Sequence, residues 1–390
     1  MAGFDPADSS EPRNVKSLVQ EMKDRSGLLL DLAYSAVLLV DQDVTPIVFD
    51  LVDRIDTLEL QARMSLLLAA RSPSDAEQLA PVLGIIDAVD DVSDAVAEIV
   101  TILDDRETPS DLRSVVPATA PIVVWQTVGS DTLIGEKSLG SVRSEIGPDI
   151  SIVAIQRDDA WIFDTRADME LLSDDVLFLR GTRETLQRTG QVLESGPSSS
   201  AQIDDVDVAA RIIVRMKRLA ELAVGLAYGC ILYDSPNLAA EVQRLDRELR
   251  DCQTLLEDWT LRAARRGTEP TDVRWFISIG ACSRLIGDAA LEMSEGVRLG
   301  LETPPVVGEA IAGSDEHIHR VTVDPRSEAV GDTLDDLDLT DDGVETVLAI
   351  RRTGGEWVLT PTGTTVLKPN DILLIMGTRE SERRPLSGKL

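Results

Sequence analysis

DDVLFLRGTRE at residues 174–184 returns as NDILLIMGTRE at residues 370–380. Just upstream, VAIQR at 153–157 returns as LAIRR at 348–352, and further out DLAYSAVLLVD at 31–41 returns as GLAYGCILYD at 225–234. The tripeptide ETP occurs at 107–109 and again at 302–304. The displacement is about the same throughout, roughly half of the chain, so the sequence reads as one unit duplicated and fused. Any function assigned to one copy has to be weighed against the other.

Around these anchors the hydrophobic period changes twice in each copy. Apolar residues recur three and four apart at Val15, Leu18, Val19 and Met22, then at Leu29, Leu32, Ala33, Ala36 and Val37, the spacing of an amphipathic helix. Three helices are expected near 14–41, 45–71 and 74–104, with Pro46 and Pro73 in first turns, where proline is tolerated. The second copy repeats the plan near 205–233, 236–266 and 270–300. Long helices with short links predict antiparallel bundles. Between and after them come short apolar, β-branched runs at 121–128, 151–156 and 176–180, with a hairpin partner at 161–163 across Asp158 and Asp159. The second copy has 318–323, 345–351, 356–360 and 371–376. Thr182 is a candidate N-cap for a helix after Gly181.

The fold class expected is therefore multidomain, with α and α+β units alternating. A polar, disordered segment is expected at 1–12, a bundle at 13–108, an α+β domain at 117–194 and a Gly/Pro/Ser linker at 195–204. A second bundle follows at 205–302 and a second α+β domain at 314–385.

Composition narrows the partners. The net charge is −31, from 69 acidic and 38 basic residues. Lysine occurs only at positions 16, 23, 137, 217, 368 and 389. An acidic, lysine-poor surface is what a cytosol at molar salt selects, since screening removes the self-repulsion; a halophilic source is expected. No basic stripe exists to neutralise phosphates, which disfavours nucleic acid and anionic membrane. Cys230, Cys252 and Cys282 have neither metal-ligand spacing nor counterparts in the first copy, and read as buried small hydrophobes. No signal segment opens the chain, and the longest apolar stretches fall short of a membrane span. A cytoplasmic protein is expected, peripheral to a membrane at most through a partner.

The α+β unit resembles the RCK C-terminal (TrkA-C) domain of potassium channel and transporter regulators. The first copy supplies Gly135, Val153 to Arg157, the Asp174-Asp175 turn, Val176 to Leu179 and Gly181. The second supplies Gly331, Leu348 to Arg352, Asn370-Asp371, Ile372 to Ile375 and Gly377. Both copies depart from the family at the turn, where Asp174 and Asn370 replace glycine. The helical unit is similar to PhoU-like three-helix domains. Together they look like a tandem duplication of a PhoU-like and TrkA-C fusion, as in archaeal potassium-channel-related regulators. Full regulators of that class also carry a Rossmann domain with G-x-G-x-x-G after a strand. That motif is missing here, so NAD-type binding does not carry over.

Four constellations are candidates for chemistry, each beside a plainer reading. Asp87, Asp90, Asp91, Asp94 and Glu98 form a carboxylate ladder at helical spacing. PhoU proteins use such pairs for metal clusters, and carboxylates suit hard divalent cations. The plainer reading is a solvated acidic face, since the aligned positions are Ala281, Arg284, Leu285, Asp288 and Glu292. Second, the TrkA-C resemblance implies a dimer groove that in some members binds a small nucleotide such as cyclic di-AMP. Arg157, Arg351 and Arg352 could meet its phosphates bidentately, or pair with nearby carboxylates. Two copies in one chain could then pair across a pseudo-two-fold axis in place of a homodimer; a homodimer of the whole chain is the other assembly considered. Third, His317 and His319 share a strand face and could hold a metal, but no third ligand is nominated. Fourth, Gly135-Glu-Lys137-Ser138 lacks the spacing of a phosphate-binding loop. No nucleophile–base set recurs, so an enzyme is not expected.

The resemblance implies a cytoplasmic, non-enzymatic regulatory subunit of potassium or other cation transport. It would sense a small ligand through its TrkA-C-like units and contact a channel or transporter subunit through its helices. No cofactor is required on that reading. The alternative is a PhoU-like, metal-bound adaptor in phosphate signalling or transport.

Overall fold

The computed structural model describes residues 14–39, 42–104, 121–129, 137–147, 150–158, 160–163, 168–188, 205–301, 309, 311, 317–334, 336–337, 345–358 and 361–377. The expected disordered start, the linker and the segment beyond 377 lie outside them.

Three long helices open the first half: α1 (Val15–Leu39), α2 (Thr45–Ala69) and α3 (Pro73–Asp104). The α+β unit that follows contains β1 (Pro121–Thr127), α4 (Leu139–Ile146), β2 (Ser151–Arg157), β3 (Ala160–Ile162), β4 (Val176–Thr182) and α5 (Arg183–Arg188), its four strands forming one sheet. The second half has α6 (Asp205–Leu232), α7 (Pro236–Arg265) and α8 (Pro270–Arg298). Its sheet is made of β5 (His317–Thr322), β6 (Glu345–Arg351), β7 (Trp357–Val358) and β8 (Ile372–Gly377). Caps sit where the sequence puts them. Ser235 accepts from the Leu238 amide ahead of Pro236, Ser138 caps α4, and Thr182 accepts from the Thr185 amide at the start of α5. Each satisfies an orphan amide of a first turn.

The two sheets are wired alike. Their orders are β1-β4-β2-β3 and β5-β8-β6-β7, antiparallel throughout. Each carries one irregularity, between Ile152 and Ala154 and between Val347 and Ala349, which are equivalent places. The central strands β4 and β8 each carry an apolar run, Val176 to Leu179 and Ile372 to Ile375, because both faces are covered there. Phe178 and Ala154 point to the helices, while Leu177, Leu179 and Ile155 pack with Leu139, Val142 and Leu186. In the second sheet Leu374 and Ala349 face the helices, and Leu373, Ile375 and Ile350 pack with Val323, Leu334 and Leu367.

The halves meet through helices. α3 and α8 pack along their length in opposite directions: Pro81 approaches Gly296, and Glu98 lies beside Cys282. α1 and α6 cross nearby as an antiparallel pair. Lys217 stands 5.8 Å from the Tyr34 ring centre, and Lys23 stands 5.6 Å from that of Tyr228. Lys23 and Tyr34 occupy the same places in the first copy as Lys217 and Tyr228 in the second, so each contact is the other with its partners exchanged. That is the signature of an isologous interface. Each copy keeps its own sheet, as expected, and among the described residues the contact between the copies is carried by the helical bundles.

Candidate functional site

The turn before each central strand is built around one buried carboxylate. Asp174 and Asn370 take φ of 72° and 62°, the left-handed region that glycine fills most easily and Asn or Asp tolerate. The next residue, Asp175 or Asp371, turns inward and is 1 % or less exposed. Arg157 donates from Nε and Nη2 to both Asp175 oxygens, at 2.8 and 2.7 Å, and from Nη2 to the Glu170 carbonyl at 2.9 Å. The Leu172 amide adds a third donor to Asp175 at 2.8 Å. Burial alone pushes the Asp175 carboxyl up, but the Arg157 bond, the Leu172 amide and the Arg157 charge outweigh it and hold it below its usual value. The second copy reproduces this device: Arg352 pairs with Asp371 and donates to the Val366 carbonyl at 3.1 Å, and the Lys368 amide donates to Asp371 at 2.7 Å.

A second set of arginines ties each sheet to its helices, and here the copies part. In the second half, Glu241 of α7 is 1 % exposed. It receives both Nε and Nη2 of Arg351, each at 2.8 Å. Arg244 at 3.0 Å and Arg320 of β5 at 3.7 Å complete the cluster. In the first half, Arg180 of β4 pairs instead with Asp31 of α1, and Ser35 accepts from the Val123 amide at 2.7 Å. Glu221 of α6, ion-paired with Lys217, lies within the field of that Asp31–Arg180 pair. Burial pushes the Glu221 carboxyl up, Lys217 opposes this, Asp31 adds to it and Arg180 opposes it.

Thus all three arginines proposed for phosphate recognition hold carboxylates: Arg157 and Arg352 brace the strands, and Arg351 joins sheet to helix. Sequence reasoning passed over Glu241, Asp31, Glu221 and Arg320. The duplication carried no signal for them: on the alignment that pairs Lys23 with Lys217, Asp31 answers to Gly225 and Glu221 to Gly27.

The carboxylate ladder is divided by the packing of α3. Asp90 is pushed up to about 6 by burial and by Glu59, Asp94 and Asp56, with Arg63 opposing. Asp87 pairs with Arg63 at 2.7 Å. Burial raises Asp91 too, with Asp94 and Asp87 adding to it. Across the helix interface Glu292 is raised by burial, Asp91 and Asp87. In the second half arginines fill the equivalent face: Arg250 bridges Asp246 and Asp288 at 3.1 and 2.7 Å, and Arg284, in the place of Asp90, also pairs with Asp288. Among the described residues no group of three or more His, Cys, Asp or Glu side chains is arranged to hold a metal ion.

His317 and His319 lie on β5, opposite Gly377 and Ile375. Lys137 and Ser138 are absorbed structurally, Lys137 by Glu145 at 2.6 Å and Ser138 by its cap. The three cysteines are free and buried, and burial pushes the Cys230 and Cys282 thiols up to about 12, which favours the neutral thiol over the nucleophilic thiolate. No described helix is long and apolar enough to cross a membrane.

Residues 318–384 match the TrkA-C domain family, so the sheet of β5 to β8 lies in a TrkA-C domain, as the sequence resemblance implied. No curated protein matches the chain. Among solved structures, the chain is similar to PhoU from Pseudomonas aeruginosa, at 12% identity over 77% of this chain and 96% of that one, with a TM-score of 0.40. It is also similar to the GsuK RCK domain, at 12% identity over 68% of this chain and 62% of that one, TM-score 0.18. A GsuK channel bound to NAD matches at 13% identity over 68% and 52%, TM-score 0.18.

Proposed function

We propose that the chain is a non-enzymatic regulatory protein of cation transport, potassium above all, built by tandem duplication of a helical module and a TrkA-C-like module. The observation that carries this reading is the TrkA-C match at 318–384, together with the repeated strand order and the repeated Arg–Asp brace in the first half. The sensing step is placed at the sheet–helix junction. An anionic ligand such as cyclic di-AMP competes with Glu241 for Arg351 and Arg320, and its differential affinity shifts the sheet relative to the bundle. The helices pass that shift to a channel or transporter subunit.

Calorimetric titration with cyclic di-AMP in concentrated KCl tests the ligand. The expected result is saturable heat that disappears in Arg351→Ala; no heat at high protein concentration overturns the nucleotide version. Unchanged potassium uptake after deletion of the gene overturns the transport version.

A further inference from the structure

The outer face of α2 is apolar where a solvated helix is polar. Leu60, Met64 and Leu67 are 59, 52 and 73 % exposed, and their spacing of four and three places them on one stripe. The stripe spans about 10 Å at the helical rise. Aligning α2 with α7 on Pro46 and Pro236 puts Arg250, Thr254 and Glu257 at the corresponding positions. The same backbone position is thus hydrophilic in one half and apolar in the other, so helix geometry alone does not require the leucines.

The stripe's surroundings name the chemistry of its occupant. Asp56 lies one turn before Leu60, and Asp90 and Asp94 approach it from α3. These carboxylates crowd one another, with Arg63 the cation acting on Asp90. In the second half Arg250 and Arg284 sit within the equivalent carboxylates. A second copy of this chain would set two such acidic borders face to face, which like-charge repulsion opposes. An anionic lipid surface is opposed for the same reason. A cation-bearing apolar segment satisfies both parts of the surface at once.

We propose that the Leu60–Met64–Leu67 stripe, bordered by Asp56 and Asp90, is a docking surface for a basic amphipathic helix of a partner protein. The partner's apolar side covers the stripe, and its Lys or Arg side chains meet the carboxylates as Arg250 and Arg284 do in the other half. The inference stands apart from the proposed ligand site, which lies on the second sheet.

The probe is a synthetic 18-residue Leu/Lys amphipathic helix, with a Leu/Glu helix of the same pattern as control. Binding is followed by fluorescence anisotropy on the full chain at two salt concentrations, and the contact is mapped by hydrogen exchange. The expected result is saturable binding of the Leu/Lys helix with protection centred on residues 57–69. The neutral triple variant Leu60→Gln, Met64→Gln, Leu67→Gln weakens it at least ~10-fold, the scale expected for losing several apolar contacts. Asp56→Asn with Asp90→Asn weakens it chiefly at low salt. Leu261→Gln, an exposed leucine of α7, leaves it unchanged. Equal weakening by Leu261→Gln, or binding indifferent to the triple variant, would reduce the effect to the net charge and overturn the proposal. A concentration-dependent doubling of mass in light scattering that the triple variant abolishes would assign the stripe to a second copy and also overturn it. Circular dichroism of each variant separates lost binding from lost folding.

Discussion

The two sheets are the same inside and different outside. Within each, one aspartate braces the turn before the central strand through an arginine at the end of the neighbouring strand, with the corresponding carbonyl and amide helping. Between sheet and helices the first half uses Asp31 with Arg180, and the second uses Glu241 with Arg351 and Arg320. Contacts that shape a module keep their form in both copies, because a lone buried carboxylate is costly at that site whatever lies beyond it. Contacts that join modules diverge, because many pairings can orient one body on another.

The junction of the second half carries the largest expected effect. Glu241 gathers three arginines while almost wholly buried, so Glu241→Ala strands cations that have lost their counter-charge. A loss of about 3–4 kcal/mol is expected for breaking a buried ion pair by removing one partner. Urea denaturation measures it, and hydrogen exchange locates it. Amides of β5 to β8 should lose protection while those of β1 to β4 keep theirs. Equal loosening of both sheets would mean that the two junctions are not independent.

The braces come next and should behave alike. Asp175→Asn and Asp371→Asn are each expected to cost about 2–3 kcal/mol, from the lost charge-assisted bonds. Unequal costs would break the equivalence of the sheets. Asp175 also gives a pH signature. Its carboxyl is depressed in the folded chain, so its contribution is present above the unfolded value of about 4 and is lost as pH falls through the lower folded value. The gap in melting temperature between wild type and Asp175→Asn should close toward pH 3.

Much of this was legible from the chain. The repeated DDVLFLRGTRE stretch located both central strands, and the 3.6-residue period located all six long helices to within a few residues. Thr182 was readable as a cap, and Asp174 and Asn370 as left-handed turn residues. What stayed hidden was long-range partnership. Nothing local says that Arg351 looks across the structure to Glu241, or that Arg157 reaches past the adjacent residues to pair with Asp175. For the same reason the sequence assigned the pairing of the copies to the sheets. Helix length reveals an amphipathic face, not which other helix covers it, so the α3–α8 contact could not be read from periodicity.

The face of α2 and α3 inverts the usual sign. Asp90 is raised to about 6 by burial and crowding, so its ionised form carries a penalty above that pH. The penalty is relieved as pH falls through 6 and absent once the carboxyl is protonated in both states, below about pH 4. Asp90→Asn should therefore stabilise the chain at pH 8 by about 1 kcal/mol, after allowance for solvent screening of a half-exposed group, and do nothing at pH 4. Thermal melts at the two pH values check it. The equivalent position in the other half is already an arginine, and Arg284→Asp should destabilise at pH 8.

The smallest effect probes the pseudo-symmetric crossing of α1 and α6. Tyr34 donates to Ser283 of α8 at 2.8 Å, and Ser283 donates onward to the Ile279 carbonyl at 2.8 Å. Tyr228 bonds Ser26 of α1 at 3.0 Å. The two rings take equivalent lysines, yet their hydroxyls reach different helices, so the symmetry holds for the ring contacts and fails for the hydroxyl bonds. Removing either hydroxyl leaves the ring, its packing and its lysine in place. Tyr34→Phe and Tyr228→Phe are each expected to cost about 1 kcal/mol, one buried neutral hydrogen bond. The partners are distinct, so the double variant should cost the sum. A coupling well above the error of chemical denaturation would show that the two hydroxyls report on one shared element, and that the crossing moves as a unit.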